Sequence, residues 1–522
     1  MVRTRLAAAL ALATLGAGCG TTVSGAAANN ASSGIGSTSS LSVPGSTSLN
    51  AGGGGPTLPG VGGSAAGGSS VSGGSTAPGG STGSIGSSGT TGYTQPGTNA
   101  ALSGPGVTPT KIYIGIVYST NADAVNQAAG ANGISTGDTR GDALAVIDDI
   151  NKHGGVAGRK LSPIWYAFDS TSTQPVDAQW AAACAKFTQD NKIFAAFDMG
   201  TANYRACLHK AGVAQISANL PDASDAEFAA YPNYIELGYP RLGRLAATMV
   251  TALADQSYFS GWDPTLGQPR SQKAKVGIVT YDDQAFGTAV DNILVPGLKR
   301  LGFTPEVQKI GQVTTASDYG NQAASVQSAQ LKFASDGVDH VIMFEGNGGL
   351  SLFFMNQAES QHYHPRYGVN SSSGTEVLIN SGDVQKDQAI GAVGYGWIPS
   401  LDLTADRNTD NGPYSNDDRR RCLAVMKAHG ITYSDTNAES VGLGYCAQLY
   451  LLKRAADTTP NPLNLSTFLS AIDRVGSNVP DGGSLGEFLG PGRHDAPSRY
   501  YYWKYFADCQ CLHYYGQRRT LP

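Results

Sequence analysis

Seven cysteines are the side chains of this sequence whose type and spacing most directly suggest chemistry. Four of them form two pairs of nearly equal separation, and each pair lies in two successive predicted helices. Such helices pack side by side on one face of a sheet. If the chain is exported, disulfides are the default, and each would stabilise the fold by about 3 kcal/mol on a loop-entropy basis. The predicted bridges are Cys184–Cys207 and Cys422–Cys446.

Cys509 and Cys511 are separated by a single residue, Gln510. They form either a tight disulfide ring or two thiols, and the sequence leaves both states open. A structural zinc site is disfavoured because the chain contains no C-x-x-C pair. No metal ligand is therefore predicted among the cysteines.

Other motifs that could indicate metal or phosphate chemistry are equally weak. His362 and His364 are spaced like a metal pair, but no third ligand lies nearby and Pro365 follows, which indicates a surface loop. The chain has no H-E-x-x-H motif and no phosphate-binding loop. We predict no catalytic residue, no cofactor and no enzyme activity, although dispersed catalytic residues would leave no motif.

The N-terminus has the layout of an export signal. Arg3 and Arg5 precede the apolar stretch 6–15, which is too short to span a membrane. Small residues then lead to Cys19, an arrangement that resembles a bacterial lipoprotein signal. Residues 1–18 are therefore predicted to be a signal peptide and Cys19 to be lipidated. The alternative is ordinary secretion, with cleavage after the small residues 26–28.

Residues 19–106 are almost wholly Gly, Ser, Thr, Ala and Pro, without apolar periodicity. Such a segment cannot bury enough surface to offset the entropy of ordering, so we predict a flexible linker. Random-coil scaling gives it a root-mean-square reach of roughly 50 Å. A domain anchored through this linker could stand clear of the membrane surface.

Charge and hydropathy argue against a nucleic-acid partner and against a second membrane-spanning segment. The formal net charge is −5, and the longest basic run is 419–421, which argues against nucleic acid. No second apolar segment is long enough to cross a bilayer.

From residue 107 onward, β-rich runs alternate with amphipathic helical patterns. This βαβ repetition predicts an α/β fold in which mostly parallel sheets carry helices on both faces. The pattern begins again after residue 239, which predicts two doubly wound, Rossmann-like lobes with a cleft between them. Ligands in such sheets bind beyond the carboxyl ends of the strands. The relevant loops follow Tyr118, Phe197, Ser217, Thr280 and Phe344.

A resemblance to a known family rests on an ordered set of motifs. Residues 151–161 read NKHGGVAGRKL, which looks like the N-x-x-G-G-[IV]-x-G-R-K-L turn of the type I periplasmic binding proteins. Weaker matches follow in the family's order. They are the opening strand at 106–115, the D-x-x-[YF]-G loop at 281–287, the strand entry at 337–341 and the G-Y-x-A helix at 444–447.

The resemblance implies a hinged receptor whose lobes close on a small-molecule ligand. Such a receptor presents its ligand to the membrane permease of an ABC transporter. The chain would cross the hinge three times, so each lobe is discontinuous. We expect lobe I to comprise 107–240 and 390–478, and lobe II to comprise 241–389 and 479–522. A ligand sensor or surface-interaction protein with the same fold is the alternative function.

The resemblance also implies which residues hold the ligand. Thr201 and Ser217 would supply hydroxyls, and Phe286 would stack on the ligand. No acidic residue stands at 371–373, where amino-acid binders hold an ammonium group, so Glu345 would substitute for it. These departures leave an amino acid, an amide or another small polar metabolite as the expected ligand. The full predicted set is Tyr118, Ser119, Gly200, Thr201, Ser217, Tyr281, Phe286, Glu345 and Asn347.

Each of these residues also has a structural interpretation. Thr201 could only cap a helix, and Phe286 could belong to the core. Tyr118 and Ser119 could simply end a strand, and Glu345 could pair with a surface cation.

Overall fold

A computed structural model describes residues 103–197, 200–218, 222–459 and 461–522. The predictions of a signal peptide, of lipidation at Cys19 and of a linker over most of 19–106 fall outside these residues. The last linker residues are described and are bonded to the fold, since the Gly104 amide donates to the Leu463 carbonyl at 2.9 Å. Within the described ranges, no helix is long and apolar enough to cross a membrane.

The first sheet has five parallel strands in the order β2-β1-β3-β4-β5. Strand β1, which lies between β2 and β3, is buried at Ile112 and over 114–117, as its run of isoleucine and valine predicts. The strands are β1 (Lys111–Thr120), β2 (Lys160–Asp169), β3 (Ala195–Phe197), β4 (Ala214–Ser217) and β5 (Tyr234–Glu236).

The larger second sheet has seven strands in the order β14-β13-β12-β11-β10-β8-β9. Five of its strands are parallel, and the last two form an antiparallel hairpin at one edge. The strands are β8 (Val276–Tyr281), β9 (Glu306–Ile310), β10 (His340–Phe344), β11 (Arg366–Asn370), β12 (Val393–Gly396), β13 (Arg499–Phe506) and β14 (Cys511–Thr520). A separate small ribbon pairs β6 (Trp262–Asp263) with β7 (Gln268–Pro269).

Helices connect the strands, and several begin at side-chain caps that the sequence supplies. The Asp138 carboxylate accepts from the Gly141 amide, and Ser224 forms a capping box with Glu227. The helices are α1 (Ala122–Ala128), α2 (Thr139–Lys152), α3 (Val176–Ala185), α4 (Ala202–Ala211), α5 (Asp225–Ala230), α6 (Leu242–Asp255), α7 (Gln284–Ala289), α8 (Val295–Arg300), α9 (Asp318–Asp336), α10 (Gly349–Ser360), α11 (Thr375–Asn380), α12 (Pro399–Asp402), α13 (Asp417–Ala428), α14 (Thr436–Asp457) and α15 (Leu465–Ile472). The predicted fold class, two doubly wound lobes, is confirmed.

Core packing shows where the chain passes from one lobe to the other. Leu237 packs in the core of the first lobe and Tyr239 in that of the second. The chain returns between Leu403 and Cys422, and it leaves again between Ala496 and Tyr500. Two predicted boundaries therefore move.

The first of these two boundaries moves from 390 to beyond 403. Strand β12 hydrogen-bonds to β11 and β13 of the second sheet, so it belongs to lobe II rather than to lobe I. The second boundary moves from 479 to beyond 496, because Val479, Leu489 and Ala496 are buried in the core of lobe I. A strand joins whichever sheet edge accepts it, and sequence spacing does not show which edge is free.

Buried polar groups hold the hinge together. The Arg244 guanidinium forms an ion pair with the Asp495 carboxylate and donates to the Pro497 carbonyl at 2.9 Å and to the Leu521 carbonyl at 3.2 Å. The backbone of Glu236 pairs with that of Asp495 as an isolated bridge. One cation therefore links the first and third crossing segments to the C-terminus.

Both predicted disulfides are present, and each joins two neighbouring helices. Cys184 in α3 is bonded to Cys207 in α4, and Cys422 in α13 is bonded to Cys446 in α14. Cys509 and Cys511 are also bonded, within the turn that joins β13 to β14. Cys509 and Cys511 thus form a disulfide, one of the two states that the sequence left open.

Candidate ligand-binding site

A cavity of about 480 Å³ lies between the two lobes. It opens at the carboxyl ends of the parallel strands, as expected for a doubly wound sheet. Ser119 at the end of β1 and Asp169 at the end of β2 line it from the first lobe. Tyr281 at the end of β8 and the loop 346–349 after β10 line it from the second. The volume falls within the range of about 300–1,000 Å³ that small-molecule sites occupy.

The lining of this cavity is mostly apolar. Its larger apolar residues come from both lobes and from the hinge. They include Val117, Val125, Ile134, Phe168, Val176, Trp180, Tyr239, Leu352, Phe353, Val377, Leu378, Ile398, Leu401, Val441 and Tyr445. A ligand that fills this space would bury apolar surface, which contributes roughly 25 cal/mol per Å² before the costs of binding.

Two aspartates are the charged groups among the described lining residues, and no lysine or arginine is found there. Hydrogen bonds from Asn121 and Thr171 lower the pKa of Asp169, so it is ionised at neutral pH. Burial raises the pKa of Asp481, whose Oδ1 accepts from the Gly483 amide at 2.6 Å. The described lining therefore offers no cation to an anionic ligand.

Three predicted binding residues do line the cavity. Ser119 lies on the first lobe, and Tyr281 and Asn347 lie together on the second. The Tyr281 hydroxyl donates to Asn347 Oδ1 at 2.6 Å, and the Gly349 amide donates to the same oxygen at 3.1 Å. Because Oδ1 is occupied, the Asn347 amide nitrogen is the group left to face a ligand.

Glu345 does not line the cavity. It is fully buried, and its carboxylate accepts from the Leu350 and Ser351 amides at 2.8 Å each, at the start of α10. Burial raises its pKa to about 7, against the lowering effect of these bonds. The structure thus places this carboxylate at the positive end of a helix instead of opposite a ligand ammonium group.

Phe286 and Tyr118 also turn away from the cavity. Phe286 is buried in the second core, where its ring meets the edges of Tyr281 and Phe344. Tyr118 packs edge-on against Trp165, and the Arg140 guanidinium lies over the Tyr118 ring. Strand alternation explains the difference between Tyr118 and Ser119, since adjacent side chains point to opposite faces.

Gly200, Thr201 and Ser217 lie outside the cavity lining, beside a buried polar cluster of the first lobe. The Gly200 carbonyl accepts from Arg205, which is also paired with Asp222 and Glu227. Thr201 precedes α4 in an extended conformation, but its side chain makes no capping bond. Ser217 is buried at the end of β4, and the next residue, Ala218, lines the cavity instead.

Sequence reasoning missed the segment 121–138, which forms one wall of the cavity. Its Ala122, Val125, Ala129 and Ile134 all line the space. The spacing of the first three is that of one face of a helix, and this periodicity was the available signal. The segment lies between β1 and α2 and carries no family motif.

A G-x-S-x-G spacing at 482–486 also lines the cavity through Ser484. The motif indicates a nucleophile only where a strand turns sharply into a helix. Here the five residues form an irregular loop, and the Ser484 hydroxyl donates to Glu487 rather than to a histidine. The arrangement is structural.

Backbone contacts join the lobes at the mouth of the cavity. The Val176 amide of the first lobe donates to the Thr314 carbonyl of the second at 2.8 Å, and the Ala316 amide donates to the Ser172 carbonyl at 3.4 Å. On another side, Asp383 accepts from the backbone of residues 132 and 133. The lobes are therefore closed around the cavity.

Solved structures with the same fold are transport receptors. A fatty acid ABC transporter substrate-binding protein from Thermomonospora curvata is 15% identical, with 80% of this chain and 95% of that chain covered at a TM-score of 0.54. A solute-binding protein from R. palustris in complex with 4-hydroxybenzoate is 14% identical, covering 79% and 98% at 0.55. A branched-chain amino acid transporter substrate-binding protein from Streptococcus pneumoniae, in complex with isoleucine, is 14% identical, covering 79% and 99% at 0.51.

No curated protein matches the chain in sequence. The model of one family, described as periplasmic binding protein, matches residues 111–489. This range covers the first sheet and all of the second except its C-terminal hairpin. The proteins of this family bind substrates rather than convert them. The resemblance carried by the sequence motifs is therefore confirmed, and the chain belongs to the periplasmic binding protein family.

Proposed function

We propose that this protein is an extracytoplasmic receptor that captures a small molecule between its lobes and delivers it to an ABC permease in the membrane. The observation that carries the proposal is the cavity closed between the lobes, at the strand ends where this fold binds ligands. Lipid on Cys19 would anchor the receptor near its permease through the linker.

The lining favours a ligand with an apolar body and a hydrogen-bonding end that bears no negative charge. Apolar side chains dominate the walls, and Asp169 and Asp481 are their charged groups. A buried anion without a cation is costly, and no cation is found among the described lining residues. The Asn347 amide and the Ser119 hydroxyl are available to bond an uncharged end.

An amino acid, which the sequence predicted beside an amide or another small polar metabolite, fits this lining less well. Glu345 was expected to bind the ammonium group of such a ligand. Its carboxylate instead accepts hydrogen bonds from the amides at the start of α10. Asp169 could replace it, but the ligand carboxylate would then meet no lysine or arginine among the lining residues that the structure describes. The related structures with 4-hydroxybenzoate and isoleucine are reasons to keep both compounds in the test.

The test compares ligands that share one chain and differ only in the end group. Binding of 1-octanol, octylamine and octanoate to the purified protein is measured by calorimetry, beside isoleucine and 4-hydroxybenzoate. We expect octanol and octylamine to bind at least about tenfold more tightly than octanoate. Preferred binding of isoleucine would overturn the ligand class and retain the receptor.

Variants link this binding to the cavity. Val441→Trp places a large ring in the lining and should abolish binding by filling the space. Leu266→Trp is the matched control, because Leu266 is 65% exposed and lies outside the cavity lining. Unchanged binding in Val441→Trp would show that the site lies elsewhere.

A sensor remains the second candidate function. Expression of the protein with and without its permease distinguishes the two, since transport requires uptake of labelled ligand and sensing does not.

A further inference from the structure

Residues 121–138, here called the lid segment, separate part of the cavity from solvent. The segment contains α1 and the loop that leads to α2. Ala124, Gln127 and Ala128 of α1 are exposed, whereas Ala122 and Val125 line the cavity. One face of this short helix is thus in water and the other faces the ligand space.

The lid segment is held to its own lobe by few contacts. The Asp123 carboxylate accepts from the Ser135 hydroxyl at 2.8 Å and from the Thr136 amide at 2.9 Å, which folds the segment on itself. Side-chain bonds join it to the rest of lobe I: Asn437 of α14 donates to the Ser135 carbonyl at 2.9 Å, and Asn121 donates to Asp169 Oδ1 at 2.9 Å. Helix α1 has no buried residue and no side-chain cap at Asn121.

Contacts with the second lobe hold the lid segment down. The Asn132 amide donates to Asp383 Oδ1 at 2.9 Å, and the Gly133 amide donates to Asp383 Oδ2 at 3.2 Å. Ala131 is buried in the core of the second lobe, and Ala129 and Ile134 pack against that core. A lobe I segment is therefore docked on lobe II.

Gly133 is needed for this close approach. A Cβ atom there would lie 2.6 Å from the Ser381 Cβ and 2.7 Å from the Ser381 carbonyl oxygen. Ser381 belongs to the same turn as Asp383, and its hydroxyl donates to that carboxylate at 2.7 Å. An alanine at 133 would push the lid segment off its docking site.

Glycines could let the lid segment swing while the lobes stay closed. Gly130 has a φ of 90° and Gly137 a φ of 70°, conformations that side chains rarely adopt, and they flank the docked residues. The contacts of Val176 with Thr314, and of Ser172 with Ala316, join the lobes without the lid segment.

We infer that the lid segment is a gate that opens independently of the hinge, and that Asp383 is the latch that holds it shut. Ligand would then enter and leave the closed lobes past α1. Asp383 touches no ligand in this scheme and acts as a positioning residue. The role of the gate in ligand exchange rests on the proposed function, whereas its opening does not.

Hydrogen–deuterium exchange on the purified protein tests the gate without any ligand. In Asp383→Ala and Gly133→Ala we expect amides of 131–136 to exchange at least about fivefold faster, which corresponds to the loss of roughly 1 kcal/mol. Amides of Val176 and Ala316 should keep their wild-type rates. Asp387→Ala is the matched control, since Asp387 is an exposed carboxylate four residues from the latch.

Two results would overturn the inference. Unchanged exchange at 131–136 in both variants would show that Asp383 is not a latch. Equal acceleration at 131–136, Val176 and Ala316 would show that the lid segment opens only with the hinge.

The role of the gate in ligand exchange is tested by the rates at which 1-octanol binds and leaves. They are followed by the fluorescence of Trp180, which lines the cavity. A gate predicts that Asp383→Ala raises the association and dissociation rates together, with little change in Kd. A rise in the dissociation rate alone would indicate a purely stabilising contact and would count against the gate. If 1-octanol does not bind the wild type, the proposed ligand class fails, and the exchange experiment still decides whether the gate exists.

Discussion

The two lobes share one architecture but are stabilised by different means. The first lobe carries both disulfides that join separate helices, Cys184–Cys207 and Cys422–Cys446. The second lobe has a larger sheet with an added hairpin, and its disulfide closes only a turn. The first lobe thus has two covalent links between helices, and the described residues of the second lobe have none.

The largest loss of stability is expected at the hinge between the two lobes. Arg244→Leu would leave the Asp495 carboxylate buried without its ion-pair partner, and it would remove the donors to four backbone carbonyls. We expect a loss of about 3–5 kcal/mol in the free energy of unfolding. Urea denaturation followed by fluorescence measures it.

Arg420→Leu provides the control for the hinge. The Arg420 guanidinium pairs with the Asp417 carboxylate, and both side chains are exposed. A loss of at most about 1 kcal/mol is expected there. An equally small loss in Arg244→Leu would show that the hinge does not depend on this cation.

The disulfides test the comparison between lobes directly. On the loop-entropy model, removing Cys422–Cys446, with a separation of 24 residues, should cost about 3.4 kcal/mol. Removing Cys509–Cys511, with a separation of 2, should cost about 1.2 kcal/mol. Double Cys→Ala variants in chemical denaturation give both values, and equal costs would contradict the idea that the cross-links matter more in the first lobe.

A buried carboxyl group in each lobe makes the stability of that lobe depend on pH. Burial raises the pKa of Glu376 in the second lobe to about 8 and that of Asp142 in the first to about 7. A raised pKa means that the folded state holds the proton more tightly than the unfolded state. The stabilisation is therefore complete below the ordinary carboxyl pKa and is lost as pH rises towards 8.

Glu376→Gln should remove part of this pH dependence. The Leu512 amide donates to Glu376 Oε2, and a glutamine oxygen can accept the same bond. Between pH 5 and pH 8 we expect the variant to lose about 1–2 kcal/mol less stability than the wild type. Asp142→Asn is the comparison in the first lobe, where Tyr433 donates to the carboxylate and favours its charged form. Parallel stability curves for Glu376→Gln and wild type would refute the prediction.

Local patterns predicted the elements well. The alternation of strands and helices predicted from residue 107 onward is present, and both helix-to-helix disulfide pairs were identified. Apolar periodicity and strand-to-helix alternation are properties of neighbouring residues, so they survive in any tertiary context. The predicted domain boundaries were less accurate, because Val393–Gly396 pairs with strands distant in the chain.

The residues that line the cavity were predicted less well than the fold, for a physical reason. Ser119, Tyr281 and Asn347 line it near strand ends, and the other six predicted residues do not. Glu345 was assigned to a ligand as the substitute for the acidic residue missing at 371–373, yet its partners are the amides that begin α10. Which of several possible donors satisfies a buried group depends on the direction of its side chain.

The sequence by itself determined the family, the α/β class, the two lobes and the two helix-to-helix disulfides, because motifs and periodicity encode them locally. Only the tertiary structure decided which strand-end side chains face the cavity, where the chain crosses the hinge and that residues 121–138 close one wall. Those features depend on contacts between segments as far apart as Gly133 and Asp383, whose separation in the chain gives no sign of their proximity in the fold.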